Sequence, residues 1–177
     1  MHVTPMPSDS QELNQAGPVD AKLLRRACGH FVTGVTVITS GRGEQAAGTT
    51  VNSFTSVSLD PPLVLFCLHS ESRLRAVVED SGVYAVNFLA AQQEPLAWAF
   101  AGRATAVVRD VAHRPSVTGV PVLNDALAFL SCRLVNTSEV GDHTVFVGEV
   151  VELGVPEQSQ QPLVFFRGEM GSLQAAV

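Results

Sequence analysis

Short runs of β-branched and other apolar residues recur along this chain, and they constrain its fold more than any other feature. Each run has the length of a β-strand, and turn-forming residues separate the runs. Helical patterns are few, and strands and helices do not alternate regularly. The pattern therefore predicts a mainly β fold, an antiparallel barrel with peripheral helices. The predicted strands are 35–40 (VTVITS), 46–51 (AAGTTV), 63–68 (LVLFCL), 83–89, 126–135, 143–153 and 163–166.

Three segments have helical patterns. Asp20 is a favourable N-cap for a helix that ends near Gly29. Residues 72–80 and 91–102 place apolar side chains at helical spacing and predict two further helices. Residues 103–120 give mixed signals, and the prediction there is a loop.

The length and composition predict one folded domain. The chain has 177 residues, of which 46% are hydrophobic, enough for a sizeable core. Residues 1–19 contain several Pro, Ser and Gln and are predicted to form a flexible N-terminal arm. The barrel domain is then expected to span residues 20–177.

The charge of the chain narrows the possible partners. A net charge of −6 argues against a nucleic-acid-binding protein, which needs a basic surface for phosphates. Only 16% of the residues are charged, a low share that indicates a surface buried against a second copy, as in a homodimer. No stretch has the roughly 18 apolar residues of a membrane span, so no membrane association is expected.

The cysteines and histidines show no metal-ligand or nucleophile pattern. The three cysteines, Cys28, Cys67 and Cys132, are widely spaced and are predicted to be reduced, buried thiols of a cytoplasmic protein. The five histidines are not paired with each other or with cysteine at ligand spacing, so a metal site is not expected. A GxSxG motif and a GxGxxG fingerprint are both missing, which argues against a serine hydrolase and a Rossmann fold.

A hydroxyl-rich segment precedes the most apolar strand. In residues 48–62, GTTVNSFTSVSLDPP, seven of the fifteen positions are Ser, Thr or Asn. Ser56 and Ser58 alternate with apolar residues, so hydroxyl and apolar side chains can point to opposite faces of a strand. One interpretation is a solvated strand face. The other is a surface of neutral donors that binds a planar heterocycle and a phosphate.

The sequence GDHT at 141–144 is a second candidate feature. Asp142 and His143 fit a tight turn between two strands, where both side chains can simply be solvated. A histidine at the rim of a barrel can also donate a hydrogen bond to a ligand, and it titrates near neutral pH. The residues alone leave both interpretations open.

Seven segments together resemble the flavin reductase family, which supplies reduced flavin to two-component flavin monooxygenases. The resemblance extends from about residue 21 to 173, with the segments in the family's order and spacing. They are FVTGVTVIT (31–39), GTTVNSFTSVSLDPPLVLFCL (48–68), YAVNFL (84–89), FAG (100–102), PVLNDALAFLSCRL (121–134), GDHTVFVGEV (141–150) and LVFFRGEMGSL (163–173).

The resemblance implies a fold, cofactors and a site. It implies a homodimer of FMN-binding split β-barrels with Greek-key-like strand order, flavin near the dimer interface and a nicotinamide nucleotide as reductant. His143 is expected on the nicotinamide side. Main-chain amides of residues 33–36 and 49–53 are expected along the flavin ring. The other implied residues are expected near the ribityl chain and phosphate of the flavin. The implied flavin-binding residues are Thr33, Gly34, Val35 and Thr36; Thr49, Thr50, Val51, Asn52 and Ser53; Ser56, Val57 and Ser58; His69, Ser70, Ser72 and Arg73; and Phe100 and Ala101.

The expected activity is NAD(P)H-dependent reduction of free FMN or FAD, with transfer of reduced flavin to a separate oxygenase. No Arg cluster in the sequence marks a 2′-phosphate site, which favours NADH over NADPH. Residues 103–120 are shorter than in relatives, and Glu169 and Met170 replace a basic and an aromatic residue, so the choice between FMN and FAD stays open. Two alternatives are a flavin-binding sensor or storage module without turnover, and a flavin enzyme that acts on a small metabolite.

Overall fold

The computed structural model describes residues 17–103, 107–155 and 160–173, and β-strands are the commonest regular structure among them. The helices of these ranges are α1 (Ala21–Gly29), α2 (Arg73–Ser81) and α3 (Glu94–Trp98). The strands are β1 (Thr33–Gly34), β2 (Thr36–Ser40), β3 (Ala47–Val51), β4 (Thr55–Leu59), β5 (Pro62–His69), β6 (Val83–Phe88), β7 (His113–Pro115), β8 (Pro121–Leu123), β9 (Ala128–Val140), β10 (His143–Gly154), β11 (Leu163–Phe166) and β12 (Glu169–Ser172). The proposed N-terminal arm, 1–19, falls mostly outside the described residues.

A seven-stranded antiparallel sheet forms the body of the molecule, with the strand order β3-β2-β6-β9-β10-β5-β4. Its two edge strands, β3 and β4, follow each other in the chain and are separated only by residues 52–54. Because each residue spans at most about 3.6 Å, this short connection keeps the two edges close together. The sheet must therefore curl into a barrel that is split between β3 and β4, which confirms the predicted mainly antiparallel barrel.

Two small sheets flank the barrel. One has the order β1-β11-β12, and the other pairs β7 with β8. The β7–β8 pair corrects the prediction of a loop over residues 103–120, because that region contains a short helical turn at 108–110 and strand β7. Propensity missed β7 since its residues are His, Arg and Pro and its partner strand lies outside the predicted loop. Residues 104–106 lie outside the described residues.

The predicted helices are present, with one change. Asp20 accepts a hydrogen bond from the Leu23 amide at 2.7 Å and begins α1, as expected for an N-cap. Helix α2 buries Leu74 and Val78 against the barrel. The predicted helix over 91–102 is instead broken into a 3₁₀ turn, α3 and a wide final turn that ends at Gly102, whose φ of 91° stops a helix.

The largest core cluster fills the barrel. Phe66 and Phe146 stack with ring centroids 5.0 Å apart, and Tyr84 packs edge-on against Phe66 at 4.9 Å. The Cys132 thiol is buried in the same cluster, and burial raises its pKa to about 12. The prediction of buried thiols is wrong for Cys28, which is exposed at the end of α1.

None of the helices in the described ranges is long and apolar enough to span a membrane. Within the same ranges, His, Cys, Asp and Glu side chains form no group of three or more that could hold a metal ion.

Candidate flavin-binding site

Three adjacent hollows follow the outer edge of β3, and together we call them the β3 trough. Ala101 lines the first and second hollows, and Asn52 lines the second and third, so each hollow adjoins the next. Their volumes are about 610, 190 and 380 Å³. The first hollow is lined by 46–49, 72–74, 99–102 and 107–108, the second by Val35, Thr50, Val51, Asn52, Trp98, Ala101, Phe165 and Met170, and the third by 31–34, Thr36, 52–55 and Phe88.

The position of the trough follows from the sheet order. Strand β3 pairs with β2 along one edge only, so alternate main-chain N–H and C=O groups of its other edge have no strand partner. Helical residues 97–101 cover part of this edge and form the facing wall. Gly48 permits the close approach, since a Cβ there would lie 3.1 Å from the Phe100 ring and 3.2 Å from Val108.

The hydroxyls of this region mostly bond to the protein itself. Thr50 donates to a helix carbonyl at 2.7 Å and Thr49 to another at 3.4 Å, which attaches β3 to the helical wall. Thr36 donates to a β3 carbonyl at 3.1 Å, and Ser53 bonds both main-chain groups of Cys67. These four hydroxyls are therefore engaged within the protein, and the donors that the outer edge of β3 leaves without a strand partner are main-chain amides, the groups expected along the flavin ring.

The third hollow has features that suit a flat ring. Thr33 Oγ1 is buried in its wall with no hydrogen-bond partner among the described residues. A Cβ on Gly34 would meet nothing within 4 Å, so this wall is open. Phe54 and Phe88 form an edge-to-face pair with centroids 4.9 Å apart at its floor. An unpaired hydroxyl, exposed amides and aromatic walls together fit a planar, polar-edged ring such as isoalloxazine.

The first hollow has the features of an anion site. The first turn of α2, with Ser72 and Arg73, lines it. Ser72 is the N-cap but makes no side-chain capping bond, so amide groups of the first turn and the Arg73 side chain can face an anion. A helix N-terminus favours phosphate through its free N–H groups and its dipole. The hollow therefore fits the phosphate end of a flavin nucleotide.

Six of the expected residues do not line the trough. Ser56, Val57 and Ser58 lie on β4, the opposite edge of the split sheet. His69 and Ser70 follow β5, and His143 begins β10 beside them. The remaining expected residues do line it. Sequence reasoning missed the apolar walls of the trough. Phe54 lies within the hydroxyl-rich segment itself, whereas Phe88, Trp98 and Phe165 belong to other elements and only the fold brings them to the trough.

His69, Asp142 and His143 form a small cluster at the barrel rim. His143 Nδ1 lies 2.7 Å from Asp142 Oδ1, and the two imidazole centroids are 5.4 Å apart. The hydrogen bond from His143 is the main cause that lowers the pKa of Asp142, with its charge as a second cause. The cluster is joined to the first hollow through the Ser72 amide, which donates to the His69 carbonyl at 2.8 Å.

Comparison with known proteins identifies the family. Residues 28–174 match the model of the flavin reductase like domain. A Rhodococcus NADH-dependent flavin reductase is 40% identical over 168 residues, covering 90% of this chain and 92% of the relative. The reductase subunit of a Mycobacterium tuberculosis flavin-dependent monooxygenase is 34% identical, covering 88% and 84%.

A solved structure agrees with this match. The Streptomyces globisporus NADH:FAD oxidoreductase, in complex with NAD and FAD fragments, superposes with a TM-score of 0.83 at 36% identity and covers 92% of this chain and 99% of that protein. Both the expected resemblance and the expected split-barrel fold are confirmed. The chain belongs to the flavin reductase like domain family.

Proposed function

We propose that this protein is an NADH-dependent flavin reductase that supplies reduced FMN or FAD to a separate monooxygenase component. The observation that supports it most is the β3 trough, which places main-chain amides without a strand partner beside an anion-favouring helix start. Relatives at 34–40% identity are named as NADH-dependent flavin reductases and as reductase subunits of monooxygenases.

In this proposal the residues of the trough bind and orient the ring. Main-chain amides of 33–36 and 49–53 hold its polar edge, the apolar walls exclude water, and the first turn of α2 holds the phosphate. A bound flavin accepts hydride from the nicotinamide, and that chemistry belongs to the cofactors. The protein needs no acid or base for this step, which accounts for the lack of a catalytic constellation in the described residues. Amides near the ring also stabilise the negative charge that grows during reduction.

We assign His143 to orienting the nicotinamide. Its hydrogen bond to Asp142 fixes the ring orientation and leaves Nε2 for a ligand. His143→Ala is expected to raise the KM for NADH more than it lowers flavin affinity. Equal losses of both would contradict this role, and Asp142→Asn, which keeps a hydrogen-bond acceptor beside the imidazole, is the matched control.

We also propose a homodimer in which the partner covers the mouth of the third hollow. Helix α1 buries none of its residues, and Leu24 is 53% exposed. Phe31, which lines the third hollow, is 77% exposed, and its neighbour Val32 is 50% exposed. Such a patch beside a ligand site is typical of an interface. Light scattering is expected to give twice the chain mass, and Phe31→Glu to give the monomer; a monomeric wild-type protein would refute this proposal.

The activity is tested by NADH oxidation with and without added flavin. We expect turnover to rise in proportion to added FMN, FAD or riboflavin until the flavin site is saturated. A protein that retains its own flavin through purification and oxidises NADH at a rate unaffected by added flavin would contradict the proposal.

The location of the ring is tested separately at Gly34. Gly34→Leu places a branched side chain at the open wall of the third hollow and is expected to weaken flavin binding at least about ten-fold without loss of stability. Gly171→Leu is the matched control, because Gly171 lies in the same small sheet and a Cβ there also meets nothing within 4 Å. Equal flavin affinity of the two variants, measured by fluorescence titration, would place the ring elsewhere.

A further inference from the structure

A basic groove of about 560 Å³ lies between α1 and the turn that joins β11 to β12. Its cations are Lys22, Arg25 and Arg26 from the helix and Arg167 from the turn, and all four are exposed. The groove thus holds four of the eleven Lys and Arg residues of a chain whose net charge is −6. Positive charge is concentrated here, while the rest of the chain is acidic on balance.

The local geometry brings these cations together. Lys22, Arg25 and Arg26 are three and four residues apart and therefore share one face of α1. The Arg167 amide donates to the Gly29 carbonyl at 2.9 Å and attaches the turn to the end of the helix. No local sequence pattern shows this cluster, because Arg167 lies far along the chain from α1.

The cations of the groove lack carboxylate partners within the described part of the chain. Among the described residues, no Asp or Glu oxygen lies within 4.0 Å of the charged groups of Lys22, Arg25 or Arg167. By contrast, Arg75 on α2 donates to two glutamates, at 3.0 and 2.9 Å. The groove can therefore pair its charges with carboxylates of another molecule.

The backbone of Arg167 indicates that its side chain has a role. Arg167 and Gly168 have φ of 53° and 89°, and Phe166 pairs with Glu169, so the two residues form a tight hairpin turn with positive φ at both positions. Such turns favour Asn-Gly, and a long L-residue at the first position is unfavourable. Strain of this kind is typical of functional sites.

The shape and lining of the groove indicate which anionic partner it suits. A lipid surface or a nucleic acid favours a broad basic face, whereas these cations border a hollow that Phe165 also lines. His30 adds apolar surface, since it packs edge-on against Phe166 with centroids 6.1 Å apart. A protein segment that has both carboxylates and an apolar side chain matches this combination, because Arg and aromatic residues are enriched in protein interfaces.

The position of the groove leaves it open beside the candidate flavin site. Phe165 lines both the groove and the second hollow of the β3 trough. Leu24, which belongs to the proposed dimer surface, lies about 150° around α1 from the centre of the basic face. A second copy bound at Leu24 therefore leaves the groove accessible to a different protein.

We propose that the basic groove docks an acidic segment of the oxygenase component, with an apolar side chain of that segment against Phe165. Carboxylates pair with the guanidinium groups through charge-assisted hydrogen bonds. Docking at the groove holds the oxygenase beside the trough, so reduced flavin is released next to its acceptor. This inference rests on the proposed reductase function and names the surface at which its partner binds.

The test uses Arg25→Gln and Arg167→Asn in the full-length protein, with a labelled peptide of alternating Glu and Phe as the probe. Arg167→Asn places a residue that the turn prefers, so this variant is expected to fold. Fluorescence anisotropy is expected to show peptide binding to the wild type, and binding at least about three-fold weaker to each variant. The affinity is expected to fall as salt is added.

Two controls show whether binding depends on charge and on the groove. Arg133→Gln removes an exposed Arg of β9 outside the groove and is expected to leave peptide affinity unchanged. A peptide with Gln in place of Glu is expected to bind at least about three-fold more weakly than the acidic peptide. The proposal is overturned if the acidic peptide does not bind the wild type, if both variants bind it with wild-type affinity, or if the Gln peptide binds equally well.

Two further measurements test other occupants of the groove. The wild type is expected not to sediment with vesicles that contain phosphatidylserine, and both variants are expected to keep the wild-type mass in light scattering. Sedimentation that is lost in both variants would assign the groove to a lipid surface. A lower mass of the variants would assign it to a second copy, and either result would overturn the proposal.

NADH oxidation with free FMN separates this inference from the reductase proposal. Both variants are expected to turn over at the wild-type rate, because Arg25 and Arg167 do not line the trough. A large loss of turnover in both would place the groove in the cofactor site and overturn the docking proposal. Absence of flavin-dependent turnover in the wild type would refute the reductase function, while the peptide titration still measures the groove. Normal turnover without peptide binding would refute the docking proposal alone.

Discussion

Gly148 provides a sharp test of how the barrel core is packed. It lies in β10 and is buried beside Tyr84, whose side chain is fully buried. A Cβ at position 148 would overlap the Tyr84 hydroxyl and lie 2.7 Å from Cζ and 2.8 Å from Cε1 of the same ring. The ring has little freedom to retreat, because Phe66 packs against it at a centroid distance of 4.9 Å. Gly148→Ala therefore forces a rigid side chain or the strand to move.

The loss in the free energy of unfolding caused by Gly148→Ala follows from the usual cost of overpacking. Overpacking of a well-packed core typically costs about 1–3 kcal/mol, and overlap with two ring carbons and the hydroxyl oxygen of Tyr84 places Gly148→Ala at about 3 kcal/mol. For a chain of this length, 1 kcal/mol lowers Tm by about 2–4 °C, so the expected loss is about 6–12 °C. Tyr84→Phe removes the overlapping oxygen but keeps the ring carbons, so the double variant is expected to recover about 1 kcal/mol.

The measurement is urea and thermal unfolding of the wild type, both single variants and the double variant. The Tyr84 hydroxyl is buried with no hydrogen-bond partner among the described residues, so Tyr84→Phe alone loses no bond and is expected to cost little. Gly171→Ala is the control for adding a methyl group where there is space, and we expect a change within about 0.5 kcal/mol. A similarly small effect of Gly148→Ala, or no recovery in the double variant, would refute the packing argument.

Three further predictions concern other parts of the fold. Asn87 is buried and makes three hydrogen bonds between strands, so Asn87→Ala is expected to cost about 3 kcal/mol or more in urea unfolding, and a loss under about 1 kcal/mol would contradict this. Cys28 is exposed whereas burial raises the pKa of Cys132 to about 12, so a thiol reagent should modify Cys28 in the native protein and Cys132 only after unfolding. His143 lowers the pKa of Asp142, so this carboxylate adds stability that is present above its unfolded-state pKa and lost as pH falls through the lower folded-state pKa; NMR titration should show that pKa rising in His143→Ala.

The strands of the main sheet could be predicted because their signal is local. The β-branched runs at 35–40, 63–68 and 83–89 lie close to the observed β2, β5 and β6. The short strands β1, β7, β8 and β12 were missed, since they have two to four residues and form only because a partner strand lies beside them. Likewise, the continuous helix predicted over 91–102 is broken because its last turns must pack against β3.

The candidate site also has features that the sequence determines and features that only the tertiary structure decides. The sequence by itself determined the family, because the motifs that identify it consist of residues that are neighbours in the chain, and the resemblance predicts which segments bind the flavin. The tertiary structure alone decided that Thr36, Thr49, Thr50 and Ser53 bond to the protein itself, because their acceptors belong to other elements. It also brought Arg167 to α1. Contacts between distant segments depend on how the sheet curls and closes, and no local pattern encodes that.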